Sequence, residues 1–186
     1  MSKTLNTIQT LSKIGKILSK IVFIFCIVGM SLCLVSVITM ALGFEGAFKL
    51  GGVTINSIIG EAANVSADTI YATMVLGLVS CIWEAVIAKY SEDYFANELK
   101  AGTPFTFNGA KEMLRLGIIT ISVSIGGEIA SSIILSIMKK RMEVNPEFEL
   151  DSIGSVTIGI MFIVISLIFK YGAEIIENKE KEDKNA

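Results

Sequence analysis

The chain has 186 residues, a formal net charge of −2, 52% hydrophobic residues and only 18% charged residues, with a mean hydropathy of +0.66. This composition excludes a disordered chain and is too apolar for an ordinary soluble domain. The sequence contains no histidine, which excludes histidine-based acid–base catalysis, metal ligation and pH switching.

Residues 1–20 form a cationic N-terminal arm. Apolar residues recur in it at helical spacing with lysines between them: Leu5, Ile8, Leu11, Ile14, Ile17 and Leu18. This pattern predicts an amphipathic helix on the inner leaflet that leads into the first membrane span. The simpler interpretation, which we prefer, is that the lysines only orient that span.

Four apolar stretches are predicted to cross a membrane, at 21–44, 69–88, 116–138 and 152–170. A bilayer core of ~30 Å needs about 20 apolar residues in a helix. Lipid accepts only helices or closed barrels, and these stretches lack the alternation of barrel strands. The sequence therefore predicts an all-α membrane domain over 21–171, a bundle of four transmembrane helices. The first stretch is too long for a signal peptide, and we expect it to be retained as a signal anchor.

The connecting segments are less informative. In residues 45–68, Gly51 and Gly52 break any long helix, and the segment fits either a short strand or an interfacial segment. Residues 64–66, Asn-Val-Ser, match a glycosylation acceptor, which has no meaning in a bacterial host. In residues 139–151, Asn145-Pro146 predicts a turn, and residues 172–186 predict a charged cytoplasmic tail.

The basic residues predict the orientation. Twelve of the sixteen fall on one side of the predicted membrane: Lys3, Lys13, Lys16, Lys20, Lys89, Lys100, Lys111, Arg115, Lys170, Lys179, Lys181 and Lys184. Lys49 and the cluster Lys139, Lys140 and Arg141 fall on the other side. The positive-inside rule therefore places both termini in the cytoplasm.

Two acids lie inside the predicted spans. Each belongs to a small and polar stripe at helical spacing: Thr73, Gly77, Ser80 and Glu84 in the second span, and Thr120, Ser124, Gly127, Glu128 and Ser131 in the third. Such stripes predict the inward faces of a helix bundle. No Lys or Arg lies inside the second or third span to pair with either acid, although Lys89 is about one turn from Glu84.

Two interpretations of these acids remain open. Acids in the membrane are expensive and often line proton or ion paths. They also join helices by hydrogen bonds to Ser and Thr. We favour the structural role for Glu84 and leave both roles open for Glu128, which lies near mid-bilayer. The cysteines Cys26, Cys33 and Cys81 lie inside spans and are expected to act as small hydrophobes without a disulfide.

The loop between the second and third spans has specific turn chemistry. Gly102 is placed to end a helix, and Pro104 prevents its continuation. Thr106 or Asn108 is expected to cap the next helix, whose positive N-terminal end Glu112 would support. We expect the basic side chains Lys111 and Arg115 to face lipid headgroups, and the aromatic rings of Phe105 and Phe107 to anchor the loop in the interface.

Two segments also carry a resemblance, residues 99–118, LKAGTPFTFNGAKEMLRLGI, and residues 168–181, IFKYGAEIIENKEK. They resemble the inner loop and the closing segment of the bacterial domain-of-unknown-function family numbered 2975. The matching residues are Gly102, Pro104, Phe105, Thr106, Lys111, Leu114, Arg115, Gly117, Gly172, Ala173, Glu174 and Glu177. Asn108 comes one position earlier than in the family pattern and is followed by Gly109. The resemblance implies four spans and a regulatory or sensing role beside small helix-turn-helix regulators.

No nucleophile, base, metal or phosphate-loop arrangement is present in the sequence. We therefore expect no enzymatic activity, no cofactor and no nucleic-acid partner. The prediction is a small protein of the bacterial plasma membrane with a regulatory, sensing or immunity-like role, which contacts lipid and binds a protein partner or further copies of itself. The alternative is a subunit of a transporter or oligomeric channel with Glu128 in the conduction or proton path.

Overall fold

A computed structural model describes residues 3–42, 49–50, 53–54, 67–141 and 152–185. Four helices account for almost all of them: α1 (Lys3–Ala41), α2 (Ala67–Ala101), α3 (Phe107–Lys139) and α4 (Ser152–Asn185). Two short strands, β1 (Lys49–Leu50) and β2 (Val53–Thr54), pair antiparallel with Lys49 opposite Thr54. Residues 49–50 and 53–54 are thus extended and paired, and the rest of residues 45–66 lies outside the described residues. The Asn-Val-Ser tripeptide and the Asn145-Pro146 turn lie outside the described residues.

All four helices are long and apolar enough to cross a membrane. Their 33 to 39 residues correspond to about 50 to 58 Å, more than a ~30 Å hydrocarbon core requires. Large apolar side chains lie on their outer surfaces: Phe25 is 71% exposed, Leu167 61% and Ile133 55%. Lipid accepts such surfaces, whereas water does not. Four helices that are able to span a membrane agree with the number of spans predicted, and the chain is a multi-pass membrane protein.

The N-terminal arm differs from its prediction. Residues 3–20 are helical, but they are the first part of α1, which continues without a break to Ala41. Their small and polar residues contact α2: the Ser12 hydroxyl bonds Glu98, and a methyl group at Gly15 would lie 2.7 Å from the Phe95 ring. The apolar residues that suggested a membrane-facing side, such as Leu11 and Ile17, are exposed. The arm is thus packed on its polar and small side, which its apolar spacing did not reveal.

The described chain divides into two compact units. The first comprises Met1–Phe23, Val86–Ile125 and Asp151–Ala186. Its core contains Tyr94, Met113 and Leu116, and Phe162 and Phe169 of α4 pack against it. In this unit α3 and α4 approach at two glycines, since a methyl group at Gly117 would lie 2.8 Å from the Gly159 carbonyl oxygen. Small residues allow exactly such backbone contact between membrane helices.

The second unit comprises Ile24–Ala85 and Gly126–Leu150. Glycines and cysteines form its helix contacts. A methyl group at Gly29 would lie 3.1 Å from the Cys81 sulfur, and one at Gly77 would lie 3.4 Å from the Cys33 sulfur. The three cysteines are free thiols. Cys33 and Cys81 pack as small side chains against glycine, in agreement with the role expected for them.

Candidate functional site

The turn between α2 and α3 is built from the residues that the sequence indicated. Gly102 has φ +77°, and its N–H donates to the Glu98 carbonyl at 3.0 Å, which is the left-handed glycine cap of a helix end. The Gln9 side-chain amide donates to the Gly102 carbonyl at 3.2 Å. The first helix therefore stabilises the turn from a distant part of the chain.

Thr106, rather than Asn108, caps α3. Its hydroxyl oxygen accepts from the Gly109 N–H at 2.9 Å, while Asn108 is already the second residue of the helix. A methyl group at Gly109 would lie 2.7 Å from the Pro104 carbonyl oxygen. The turn approaches the start of α3 too closely for a side chain at position 109, so glycine is required there. Gly109 is also one of the departures from the family pattern.

Phe105 contacts α4. Its ring packs edge-to-face on Phe169, with centroids 5.6 Å apart, and a methyl group at Gly172 would lie 2.6 Å from it. Phe107 is 45% exposed. The anchoring of these two rings in the membrane interface stays a prediction. The contacts of Gln9 with Gly102 and of Phe105 with Gly172 place both terminal segments at the same end of this unit as the turn.

Two side-chain hydrogen bonds connect the helices beside the turn. The Ser12 hydroxyl of α1 donates to the Glu98 carboxylate of α2 at 2.8 Å, and both residues are buried. The Asn97 amide of α2 donates to the Glu112 carboxylate of α3 at 2.9 Å. Neither bond could be predicted from spacing within one helix, because the two partners are 86 residues apart in the first bond and 15 apart in the second.

A polar pocket of about 330 Å³ opens between α2 and α3 at this end. We call it the turn pocket; its lining includes Tyr90, Asp93, Tyr94, Asn97, Lys100, Glu112 and Arg115. Arg115 stacks over the Tyr90 ring at 5.3 Å. Burial and the nearby Glu98 carboxylate raise the pKa of Tyr94. Asp93 forms an ion pair with Lys89 at 3.2 Å. The pocket thus presents both signs of charge.

Lys111 and Arg115, both of which were predicted to face lipid headgroups, line different concavities. Arg115 lines the turn pocket, whereas Lys111 lines a groove between α3 and α4. The two residues are four positions apart on α3, so their side chains differ in direction by about 40° around the helix. This difference places Arg115 toward α2 and Lys111 toward α4.

The intramembrane residues are only partly brought together. Ser80 and Ser131 are buried, whereas Glu84 and Glu128 are both exposed on the surface. The hydroxyls of Ser80 and Ser124 donate to carbonyls of their own helices, at 3.1 and 2.7 Å, and the buried Ser131 hydroxyl has no partner among the described residues. The serine hydroxyls that have partners therefore stabilise backbone rather than the acids.

The surroundings of the two acids differ. The Cys26 thiol lies 3.8 Å from the Glu84 carboxylate and donates to it. Lys89, the basic residue expected near Glu84, instead forms an ion pair with Glu92 at 3.1 Å. In the third span Gly127 is buried against Trp83, and the next residue, Glu128, points about 100° away around the helix. Glu128 takes part in no ion pair or hydrogen bond within the described residues.

The described residues contain no group of three or more Cys, Asp or Glu side chains arranged to hold a metal ion. No protein-family model matches the sequence, and no match to it was found among the curated proteins or the solved structures. The family resemblance therefore depends on the two sequence motifs alone. The class that the structure defines is a multi-pass membrane protein with four apolar helices.

Proposed function

We propose that the protein is a non-enzymatic component of a bacterial plasma membrane, with both termini in the cytoplasm, and that it acts by binding a protein partner in a regulatory or sensing role. The turn pocket is the observation that carries this proposal. It is the place where the charges of α2 and α3 converge around an open volume of about 330 Å³.

The charges of this pocket favour a polar partner segment. Lys100 and Arg115 form no ion pair within the described chain, although Arg115 stacks on Tyr90, and both are exposed. Guanidinium and aromatic groups are common in the central contacts of protein interfaces. The positive-inside distribution supports a cytoplasmic location for the pocket, and therefore a cytoplasmic partner. In this orientation Lys13 and Lys20 of α1 lie near the inner headgroups and contribute to the orientation of the helix.

Site-specific photocrosslinking in cells tests the proposal. A photoreactive residue at Lys100 should crosslink one protein, and the same residue at the lipid-facing Ile133 should not. The crosslink from position 100 should disappear in Arg115→Gln and persist in Lys181→Gln, which removes one charge from the C-terminal part of α4, outside the lining of the pocket. Equal crosslinking in both variants would contradict binding through the pocket.

A second candidate is an oligomeric channel. The specific observation is that Glu128 is exposed on the surface of α3 in a predicted span, without a partner within the described residues. An ionisable group in that position is costly unless another protein surface covers it. A conduction path containing Glu128 would therefore require a neighbouring copy of the chain.

A further inference from the structure

We infer that the groove between α3 and α4 is a binding site for the headgroup of an anionic phospholipid. The groove has a volume of about 590 Å³, and we call it the lysine groove. The residues that carry the argument are Phe107, Lys111 and Leu114 of α3 and Leu167 and Lys170 of α4. This site is separate from the turn pocket, and the inference does not depend on the proposed partner.

The charge of the groove has a single sign. Among the described residues that line it, Lys111 and Lys170 are the only charged ones, and none is an acid. Lys111 forms no ion pair with any described residue. The Lys170 ammonium lies 4.0 Å from the Glu174 carboxylate, with both side chains more than 45% exposed, so this contact holds it only weakly. Each wall of the groove thus provides one ammonium group, Lys111 from α3 and Lys170 from α4.

The order of polar and apolar residues along the groove matches that of a phospholipid at a membrane boundary. Lys111 precedes the apolar stretch of α3, and Lys170 ends the apolar stretch of α4. One turn further toward the hydrocarbon, Leu114 and Leu167 are exposed on the same groove. A phosphate held by the lysines would therefore have its acyl chains directed along apolar side chains.

The start of α3 adds to the positive potential of this site. Phe107 is the first residue of α3 and lines the groove. A helix N-terminus carries partial positive charge from its free N–H groups. Basic recesses between membrane helices at the cytoplasmic boundary are suited to anionic headgroups. A free phosphate would satisfy the lysines but not the apolar half of the groove, and an anionic phospholipid satisfies both.

Native mass spectrometry of the full chain in mild detergent tests the inference. With phosphatidylglycerol and phosphatidylcholine supplied together, we expect the wild type to retain phosphatidylglycerol. In the Lys111→Gln, Lys170→Gln double variant, the ratio of bound phosphatidylglycerol to bound phosphatidylcholine should fall about 10- to 30-fold, because two cations near the anionic headgroup have been removed. The control is Lys139→Gln, Lys140→Gln, which removes the same charge at the other end of α3 and should keep the preference.

Three outcomes would overturn the inference. They are an unchanged preference in the double variant, an equal loss in the control, and displacement of the bound lipid by excess inorganic phosphate. Lys111→Arg, Lys170→Arg keeps both charges and should keep the preference, and its loss would equally contradict a headgroup site. If the double glutamine variant fails to fold, Lys170→Gln alone, which changes an exposed side chain, should still lower the preference several-fold.

Discussion

Ser12 and Glu98 form a buried hydrogen bond of 2.8 Å that joins the first helix to the second. The Ile8 carbonyl oxygen of its own helix lies 2.9 Å from the same hydroxyl and is an alternative acceptor for its single proton. A carboxylate buried at this depth is costly unless a donor compensates it. The bond therefore fixes the N-terminal part of α1 beside the end of α2, where the turn and its pocket lie.

Removal of this donor should destabilise the protein. Ser12→Ala leaves the Glu98 carboxylate without its hydroxyl partner, and we expect a loss of about 1–3 kcal/mol. The measurement is thermal unfolding in detergent, compared with Ser31→Ala, which removes an exposed hydroxyl that bonds only the Ile27 carbonyl. Equal melting temperatures for the two variants would show that the bond contributes nothing.

The turn was predictable because its determinants are local. Glycine, proline and threonine at 102, 104 and 106 each act on their immediate neighbours. The role of Phe105 was not predictable, because its contact with Phe169 and Gly172 depends on the position of α4. Aromatic residues beside a span look alike in sequence whether they face lipid or a neighbouring helix.

The same distinction applies to the intramembrane stripes. Spacing of three or four residues correctly grouped Thr120, Gly127 and Ser131, all of which are buried. It also included Glu128, which lies at the edge of the stripe and is exposed. A stripe defined by spacing is wide enough to include residues on both sides of a contact, and only the position of the neighbouring helix separates them.

Gly102 should not tolerate a side chain. Its φ of +77° lies in the left-handed region, and Gly102→Ala is expected to cost about 1 kcal/mol or more because of the Cβ. Gly126→Ala is the matched control, since a Cβ there meets nothing within 4 Å and alanine favours the helix. In thermal unfolding the first variant should melt below the wild type and the second at or above it. If Gly102→Ala melted above Gly126→Ala, the assignment of Gly102 as the left-handed cap of α2 would be contradicted.

The α3–α4 contact should depend on Gly117. A Cβ at this position would lie 2.8 Å from the Gly159 carbonyl oxygen, which is backbone and cannot move alone. Gly117→Ala should therefore separate the two helices locally and cost about 1–3 kcal/mol, as overpacking does. Unfolding in detergent again provides the measurement, with Gly126→Ala as the control. A wild-type melting temperature would contradict this close approach of the two helices.

Glu128 provides the test between binding and conduction. If the protein acts by binding, proteoliposomes containing it should show the proton permeability of protein-free liposomes, and Glu128→Gln should change nothing. A pH-sensitive dye inside the vesicles measures this permeability. A leak in the wild type that Glu128→Gln abolishes and Glu84→Gln retains would contradict the proposal and support an oligomeric channel.

The cytoplasmic location of the turn pocket depends directly on the orientation of the chain in the membrane. Ala101, at the end of α2, and Lys140, just after α3, are both exposed and are predicted to lie on opposite sides of the membrane. In a background with Cys26, Cys33 and Cys81 replaced, each position is changed in turn to cysteine and treated in intact cells with a maleimide that does not cross membranes. We predict labelling of Lys140→Cys in intact cells and of Ala101→Cys only after permeabilisation. Labelling of Ala101→Cys from outside would place the turn pocket outside the cell and contradict the account.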